Sequence, residues 1–313
     1  MERKTEDVRG AVVDELHKMM EKNRDVYFVT PDLGAQFPNF DKDFPDRYID
    51  VGIAEQNMVG LAAGLAYSGK IVFTSTLAEM ATMRVIEQIR IDLCYPHINV
   101  NMFGQGRGLA YGFLGPTHHA PEDIGMLRSL PNLRIMMPAD AREARKMVVA
   151  VAKDPGPSYI GLPRGAEPVI YDADYNFQIG KAITLKDGKD ISLIATGAMV
   201  SRALDAGEIL AKDGIKARVI NMHTIKPFDD DAVIKAAKET GAIVTVEDHN
   251  ILTGLGGAVA EVVVENYPVP MKRIGVPDIF CAIGHFEELV AKYHMDTPDI
   301  VKAAKELLKK KSK

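Results

Sequence analysis

At 313 residues the chain is roughly twice a ~150-residue domain, so two domains with a full hydrophobic core are expected. Hydrophobic residues at 47% and charged residues at 26% are ordinary globular values, which exclude a disordered or fibrous chain. A net charge of −5 argues against a nucleic-acid backbone as partner, and two cysteines outside any paired motif exclude a disulfide framework and a zinc site.

The longest apolar stretches, residues 147–152 and 258–264, fall far short of the ~20 residues of a membrane span. The opening Met-Glu-Arg-Lys carries no hydrophobic signal core, so no membrane and a cytoplasmic location are expected. Along the chain, Val8, Val12, Leu16 and Met19 recur at helical spacing behind Thr5 as N-cap, with Glu6 and Asp7 in the first turn. Short β-branched runs follow at 26–30, 48–51, 71–74, 98–102, 134–137 and 158–161, and read as buried strands. Helical patterns lie between them at 54–67, 79–93 and 140–153, the last opened by Asp140 with Glu143 at capping-box spacing. This alternation predicts an α/β fold with a mostly parallel sheet covered on both faces.

Residues 163–181 carry prolines, glycines and acidic residues without an apolar period, and the alternation restarts at Ile191. The reading is a first domain over 1–168, a linker over 169–181 and a smaller α/β domain over 182–313. Strands are expected in the second domain at 191–195, 217–221, 242–247 and 272–276. No fixed-period repeat or low-complexity tract occurs, and Lys309, Lys310, Lys311 and Lys313 read as a solvated helix end.

Two segments offer chemistry. In Asp50-Val51-Gly52-Ile53-Ala54-Glu55-Gln56-Asn57-Met58 a strand ends in glycine and a helix begins with a glutamate, at the kind of strand end where open α/β sheets bind ligands. Taken alone, the fragment favours reading Glu55 as a charge that complements the helix dipole. The second segment, residues 104–119, holds five glycines and the pair His118-His119 just after a predicted strand. Glycines let backbone approach a ligand closely, and paired histidines offer proton donors or metal ligands. With Glu122 and Asp123 as the nearby oxygen donors, substrate contact is favoured over a metal, and no metal ligands are assigned.

These segments, with Gly115 to His118, the stretch 127–140 containing Arg-Ser-Leu-Pro-Asn-Leu and Met-Pro-Ala-Asp, and Leu162-Pro163-Arg164, resemble the transketolase family. Val246-Glu247-Asp248-His249 and Gly254 to Val259 are similar to the C-terminal domain of transketolases and of deoxyxylulose-phosphate synthases. The resemblance spans nearly the whole chain in family order. It implies a pyrimidine-binding domain for thiamin diphosphate followed by a transketolase C-terminal domain. The family's Gly-Asp-Gly diphosphate motif is missing: Asp187-Gly188 and Asp213-Gly214 lack the preceding glycine. The resemblance therefore implies a split enzyme, in which a separate N-terminal subunit holds the diphosphate with Mg2+ or Ca2+ and the two chains assemble as a two-plus-two heterotetramer.

By motif match, Glu55 takes the role of the carboxyl group opposite the coenzyme's ring nitrogen, and His118 that of the histidine contacting substrate hydroxyls. Arg164 matches the arginine that clamps a terminal phosphate, whose geometry suits a guanidinium fork. Arg9 resembles a second phosphate-binding arginine. The implied reaction moves a two-carbon ketol unit from a ketose phosphate to an aldose or aldose-phosphate acceptor, as in pentose phosphate metabolism.

The chain departs from the family where a Gly-Thr-Phe run with further aromatics is usual. Leu77, Met80 and Met83 stand there, and they are expected to form the platform under the pyrimidine. Leu114 replaces an acidic residue, and Gln36 and Gly106 replace familiar phosphate contacts, with Arg107 as the substitute. The rivals are the beta chain of a 2-oxo-acid dehydrogenase decarboxylating component, disfavoured by Gly-Pro-Thr-His and Pro-Arg-Gly, and a non-catalytic scaffold subunit. Retention of Glu55, His118 and Arg164 together speaks against the latter.

Overall fold

The computed structural model describes residues 3–172 and 175–311. Two larger sheets organise it. The first has seven strands in the order Thr224–Lys226, Arg134–Met136, Ser158–Leu162, Val100–Gln105, Ile71–Leu77, Val26–Thr30 and Tyr48–Asp50. All its pairings are parallel except that of Thr224–Lys226 with Arg134–Met136. The second runs Met271–Val276, Ile243–Asn250, Ile191–Ala195, Ala217–Asn221 and Ile183–Lys186, with only the last strand antiparallel. The expected α/β architecture of two units with mostly parallel sheets is thus present. The near-continuous burial of strands such as Val100–Gln105 and Ile191–Ala195 is what helices on both faces require.

The first helix, Val8–Lys22, buries Val8, Ala11, Val12, Leu16 and Met20, while Met19 is half-buried. Its N-cap is Asp7, whose side chain accepts from the Arg9 amide, and not Thr5. Thr5–Asp7 instead forms a two-stranded ladder with Ala166–Pro168, which displaces the helix start by a few residues. In Ala141–Lys153 the Asp140 side chain accepts from the Glu143 amide, as its sequence position indicates.

The expected helix over 79–93 is the main departure. Ala78 still donates to Gln105 of the neighbouring strand, and Thr82 Oγ1 donates back to the carbonyls of Ala78 and Glu79. Those bonds hold a turn where the apolar period suggests a helix, because a threonine hydroxyl competes for the carbonyls. After the turn come Met83–Val85, a single α-turn Ile86–Gln88 and a π-helical turn Ile89–Cys94. Val100–Gln105 begins later than expected because His97 takes φ 55° and Ile98 donates back to Leu93.

The units share their interior. One apolar cluster runs from Met58, Val59 and Ala62 through Met102 and Ile135 to Ile194, Ile220, Ile243 and Val259. Strand Thr224–Lys226, which follows Ala217–Asn221 of the second sheet, closes the edge of the first. At the C-terminal end Lys311 Nζ donates to the carbonyls of Thr240 and Asp190, so this lysine is bonded and not merely solvated; Lys313 lies outside the described residues.

Candidate functional site

Strand Tyr48–Asp50 ends in a turn tied by its own carboxylate, since Asp50 Oδ1 accepts from the Asp32 and Gly52 amides. That turn delivers Glu55 as the first residue of helix Glu55–Tyr67. Glu55 is buried, 4% exposed, so it is no solvent-facing helix-end charge. Its Oε2 accepts from Nη1 of Arg84 at 2.9 Å, and the Arg84 side chain is 42% exposed. The Arg84 backbone is held separately, its carbonyl accepting from Gln56 Nε2.

Beside this pair stands Glu79, on the turn that replaces the expected helix. Its Oε2 is buried and has no hydrogen-bond partner. Burial raises the Glu79 carboxyl above its ordinary range; the charges of Arg84 and His118 oppose this and that of Glu55 adds to it. Glu55, Arg84, Glu79 and His118 therefore act on one small region. His118 is half-buried, its Nδ1 2.9 Å from Thr117 Oγ1. Leu77 and Met80 are half-buried and Met83 is exposed. Glu79 and Met83 also line a cavity of about 80 Å³ with Pro116, His119, Pro121, Glu122 and Phe280.

The loop carrying His118 is fastened by the second unit. Leu109 N donates to both oxygens of Asp248, at 3.1 and 3.3 Å, and Gly125 N donates to Nε2 of His249. Arg107, 3% exposed, makes a two-point pair with Asp123 at 3.1 and 3.2 Å. Asp248 and Asp123 flank that guanidinium and hold it firmly charged against its burial. Asp123 also accepts from Tyr159 Oη at 3.0 Å. Two of the loop glycines serve this clasp and not a ligand. At Gly108, φ +61°, a Cβ would stand 1.9 Å from Asp248 Oδ2; at Gly106, φ +65°, it would stand 2.0 Å from the Tyr111 ring.

The arginines gather at the other end of the loop. Arg164 follows strand Ser158–Leu162 and lies over the rings of Tyr111 and Phe113, 5.2 and 4.7 Å from their centroids. Arg107 and Arg164 line one cavity of about 40 Å³, with Glu167, Asp248 and Phe286. Arg9 is brought alongside because Val8 N donates to Gly165 O, and its Nη1 donates to Gln36 Oε1 at 3.0 Å. The structure thus collects Glu55 and His118 in one region and Arg9, Arg107 and Arg164 in another, with the loop between them. Arg107 differs from the other two in being buried and already paired.

Sequence reading missed Arg84, Glu79, Asp123 and Asp248 as members of this constellation. Asp248 lies within the Val-Glu-Asp-His motif, which signals the family but not this contact; Arg84 sits in a segment read as an ordinary helix, and its partner is 29 residues away. Among the described residues no group of three or more His, Cys, Asp or Glu side chains could hold a metal ion, and no helix is long and apolar enough to cross a membrane.

Residues 4–168 match the transketolase pyrimidine-binding domain and residues 180–300 the transketolase C-terminal domain. The chain is 43% identical over 305 residues to an apulose-4-phosphate transketolase subunit of Phocaeicola vulgatus, covering 96% of this chain and 97% of that one. It is 39% identical over 307 residues to the 6-deoxy-6-sulfo-D-fructose transketolase subunit of Clostridium sp. strain MSTE9, covering 97% and 95%. It also matches the second protein class of its resemblance: 1-deoxy-D-xylulose-5-phosphate synthase 1 of Geobacter sulfurreducens is 36% identical over 308 residues, and the match covers 96% of this chain but 48% of that enzyme. A solved structure described as a split gene transketolase, inactive beta4 tetramer, superposes with a TM-score of 0.88 at 39% identity, covering 97% of this chain and 98% of that one. The chain belongs to the transketolase family.

Proposed function

We propose that this chain is the C-terminal subunit of a two-chain, thiamin-diphosphate-dependent transketolase that transfers a two-carbon ketol unit from a ketose phosphate to an aldose or aldose-phosphate acceptor. The observation that carries the reading is Glu55: a buried carboxylate at the first residue of a helix, after a parallel strand, in the pyrimidine-binding domain. The residues present fit one end of the coenzyme. Glu55, the unpartnered Glu79 oxygen and the half-buried Leu77 and Met80 offer polar capacity beside an apolar wall, which suits a nitrogen-bearing ring. Met83 extends that wall.

The bound coenzyme supplies the nucleophilic carbon and the electron sink for carbon–carbon bond cleavage. The chain's residues orient and protonate around it. Glu55 holds a proton against the ring nitrogen, His118 hydrogen-bonds substrate hydroxyls, and Arg164 takes the terminal phosphate through charge-assisted bonds. Arg9 backs this contact, while Arg107, paired in two-point fashion with Asp123, holds the loop from which the phosphate site is built.

The diphosphate end with its Mg2+ or Ca2+ belongs to an N-terminal partner subunit, and two chains of each kind form the working heterotetramer. Large apolar residues near the site, Ile53 at 78% exposure, Ile283 at 70% and Phe280 at 87%, are faces such a partner covers. The description of both relatives as transketolase subunits agrees with this division. The reaction places the complex in cytoplasmic sugar-phosphate metabolism.

The deciding experiment is exchange of the coenzyme's C2 proton, followed by NMR in the reconstituted complex. Glu55→Gln keeps the shape but cannot hold the proton, and should slow exchange by about 10²- to 10⁴-fold, the usual span for a positioned acid or base. Exchange at the wild-type rate would falsify the assignment.

A further inference from the structure

Glu55 is asked to share a proton with a ring nitrogen, yet it accepts a hydrogen bond from a guanidinium at 2.9 Å. A guanidinium at that distance engages one carboxylate oxygen in a charge-assisted hydrogen bond. A ring nitrogen seated against Glu55 would compete with Arg84 for that carboxylate. Three features next to it describe where the arginine goes. The Arg84 side chain is half in solvent, so it can turn without unpacking a core. Its backbone is fixed through the Gln56 side chain, so the movement is confined to the side chain. The buried Glu79 Oε2 is an acceptor with no partner, and Arg84 is the foremost favourable charge acting on Glu79.

The cation is therefore bonded to one carboxylate, and its charge also acts on a second that has an unpartnered oxygen. A buried carboxylate oxygen without a partner is unfavourable, so a second seat for the guanidinium becomes attractive once the first is contested. Resting on the thiamin reading, we propose that Arg84 is a positioning residue that occupies Glu55 in the coenzyme-free chain and passes to Glu79 when the aminopyrimidine arrives. The transfer keeps both carboxylates and the guanidinium in register. It frees Glu55 for the ring nitrogen and satisfies Glu79. It also leaves the coenzyme-free subunit with its catalytic carboxylate covered.

The test is a double-mutant cycle on coenzyme binding, read by calorimetry with thiamin diphosphate and Mg2+ in whichever assembly of wild-type chain binds the coenzyme, alone or with its co-purifying subunit. If the uncovered state is populated at ~10%, Arg84→Met removes the competitor and tightens binding up to about tenfold, while Glu79→Gln removes the second seat and weakens it about threefold. The signature is the coupling: in the Arg84→Met background, Glu79→Gln should change the dissociation constant little, because there is no guanidinium left to seat. Arg84→Lys, which keeps the charge but not the planar fork, should fall between Arg84→Met and wild type. Weaker binding by Arg84→Met overturns the proposal, as does a Glu79→Gln effect of equal size in both backgrounds. Failure of the thiamin reading shows differently, as no coenzyme binding by wild type or as C2 exchange indifferent to Glu55→Gln.

Discussion

The carboxylates at the end of strand Ile243–Asn250 and those around Glu55 are both buried, but they are treated in opposite ways. Glu247 accepts from the Leu255 and Gly256 amides at 2.6 and 2.8 Å, and Asp248 accepts from Leu109 N with both oxygens. Asp123, facing them, accepts from Arg107, Tyr159 and its neighbour Ile124. Around Glu55 the acceptor capacity is left open: Glu79 Oε2 has no partner, and Glu55 leans on an arginine that is half in solvent. Saturated buried polar groups fix a geometry, whereas unsaturated ones await a ligand. The second unit is therefore a clasp for the loop of the first, and beside Glu55 a carboxylate oxygen is left open, as are scattered buried polar atoms elsewhere such as Asn221 Oδ1 and Thr245 Oγ1.

Breaking the clasp should have the largest effect. Asp248→Ala deprives Leu109 N of its acceptor and removes one of the two anions flanking Arg107, and by the usual cost of opening a buried pair it should destabilise the fold by ~3 kcal/mol. Urea denaturation measures this directly. Gly108→Ala should be comparably harmful because its Cβ collides with the Asp248 carboxylate, and the double variant should be more stable than the sum of the singles predicts. Additive losses would separate the loop from the clasp.

Next in size is Arg164, which is exposed and held by rings instead of carboxylates. Arg164→Ala should leave the denaturation midpoint nearly unchanged and raise the KM for phosphorylated sugars by the equivalent of ~1.5–3 kcal/mol, one lost charge-assisted contact. Steady-state kinetics with phosphorylated and unphosphorylated acceptors resolves it. An unchanged KM for every phosphorylated substrate would assign Arg164 to the clasp.

Smaller still, taken per group and per pH unit, is the pH dependence carried by Glu143, Glu247 and Asp248. Burial, the largest cause in each case, raises Glu143 to about 8, Glu247 to about 7 and Asp248 to about 6, each above its ordinary value. A group whose folded pKa exceeds its unfolded one binds more protons folded. Its stabilisation is complete below the unfolded pKa and is lost as pH rises through the folded one. Stability should therefore decline from pH 5 to pH 8, with each group contributing at most ~1.4 kcal/mol per pH unit within its own window. Glu143→Gln should flatten the slope most above pH 7, where Glu143, at about 8, retains its proton more than Glu247, at about 7.

Much of this contrast was invisible in the sequence. The β-branched runs placed the strands because a buried parallel strand is apolar along most of its length, as in Val26–Thr30. The short edge strands Ile183–Lys186 and Thr224–Lys226 carry too few apolar residues to announce themselves. The helix expected over 79–93 starts only at Met83, and in mixed helical geometry, because apolar spacing continues through a turn set by one threonine hydroxyl. At the site, Glu55 and Arg164 stood in recognisable surroundings, but what each touches did not. Arg84 reaches Glu55 across 29 residues and Asp248 reaches Leu109 across 139, and no local pattern encodes such pairings.

The smallest effect sharpens the comparison most: Glu55→Gln should hardly alter stability even though Glu55 is as buried as Asp248. The glutamine oxygen can still accept from Arg84, and no buried charge is stranded, since Arg84 has solvent on one side and Glu79 on the other. What is lost is the charge assistance in one hydrogen bond and the favourable charge at the helix start, worth ~0.3–1 kcal/mol together at a site this accessible to its partner. Asp248, by contrast, holds a backbone amide and faces a guanidinium that has nowhere to turn. Chemical denaturation of Glu55→Gln beside Asp248→Ala, in the same buffer, compares the two directly. A loss above about 2 kcal/mol for Glu55→Gln, close to that expected for a saturated buried pair, would place Glu55 with the clasp and remove the physical distinction between its surroundings and those of Asp248.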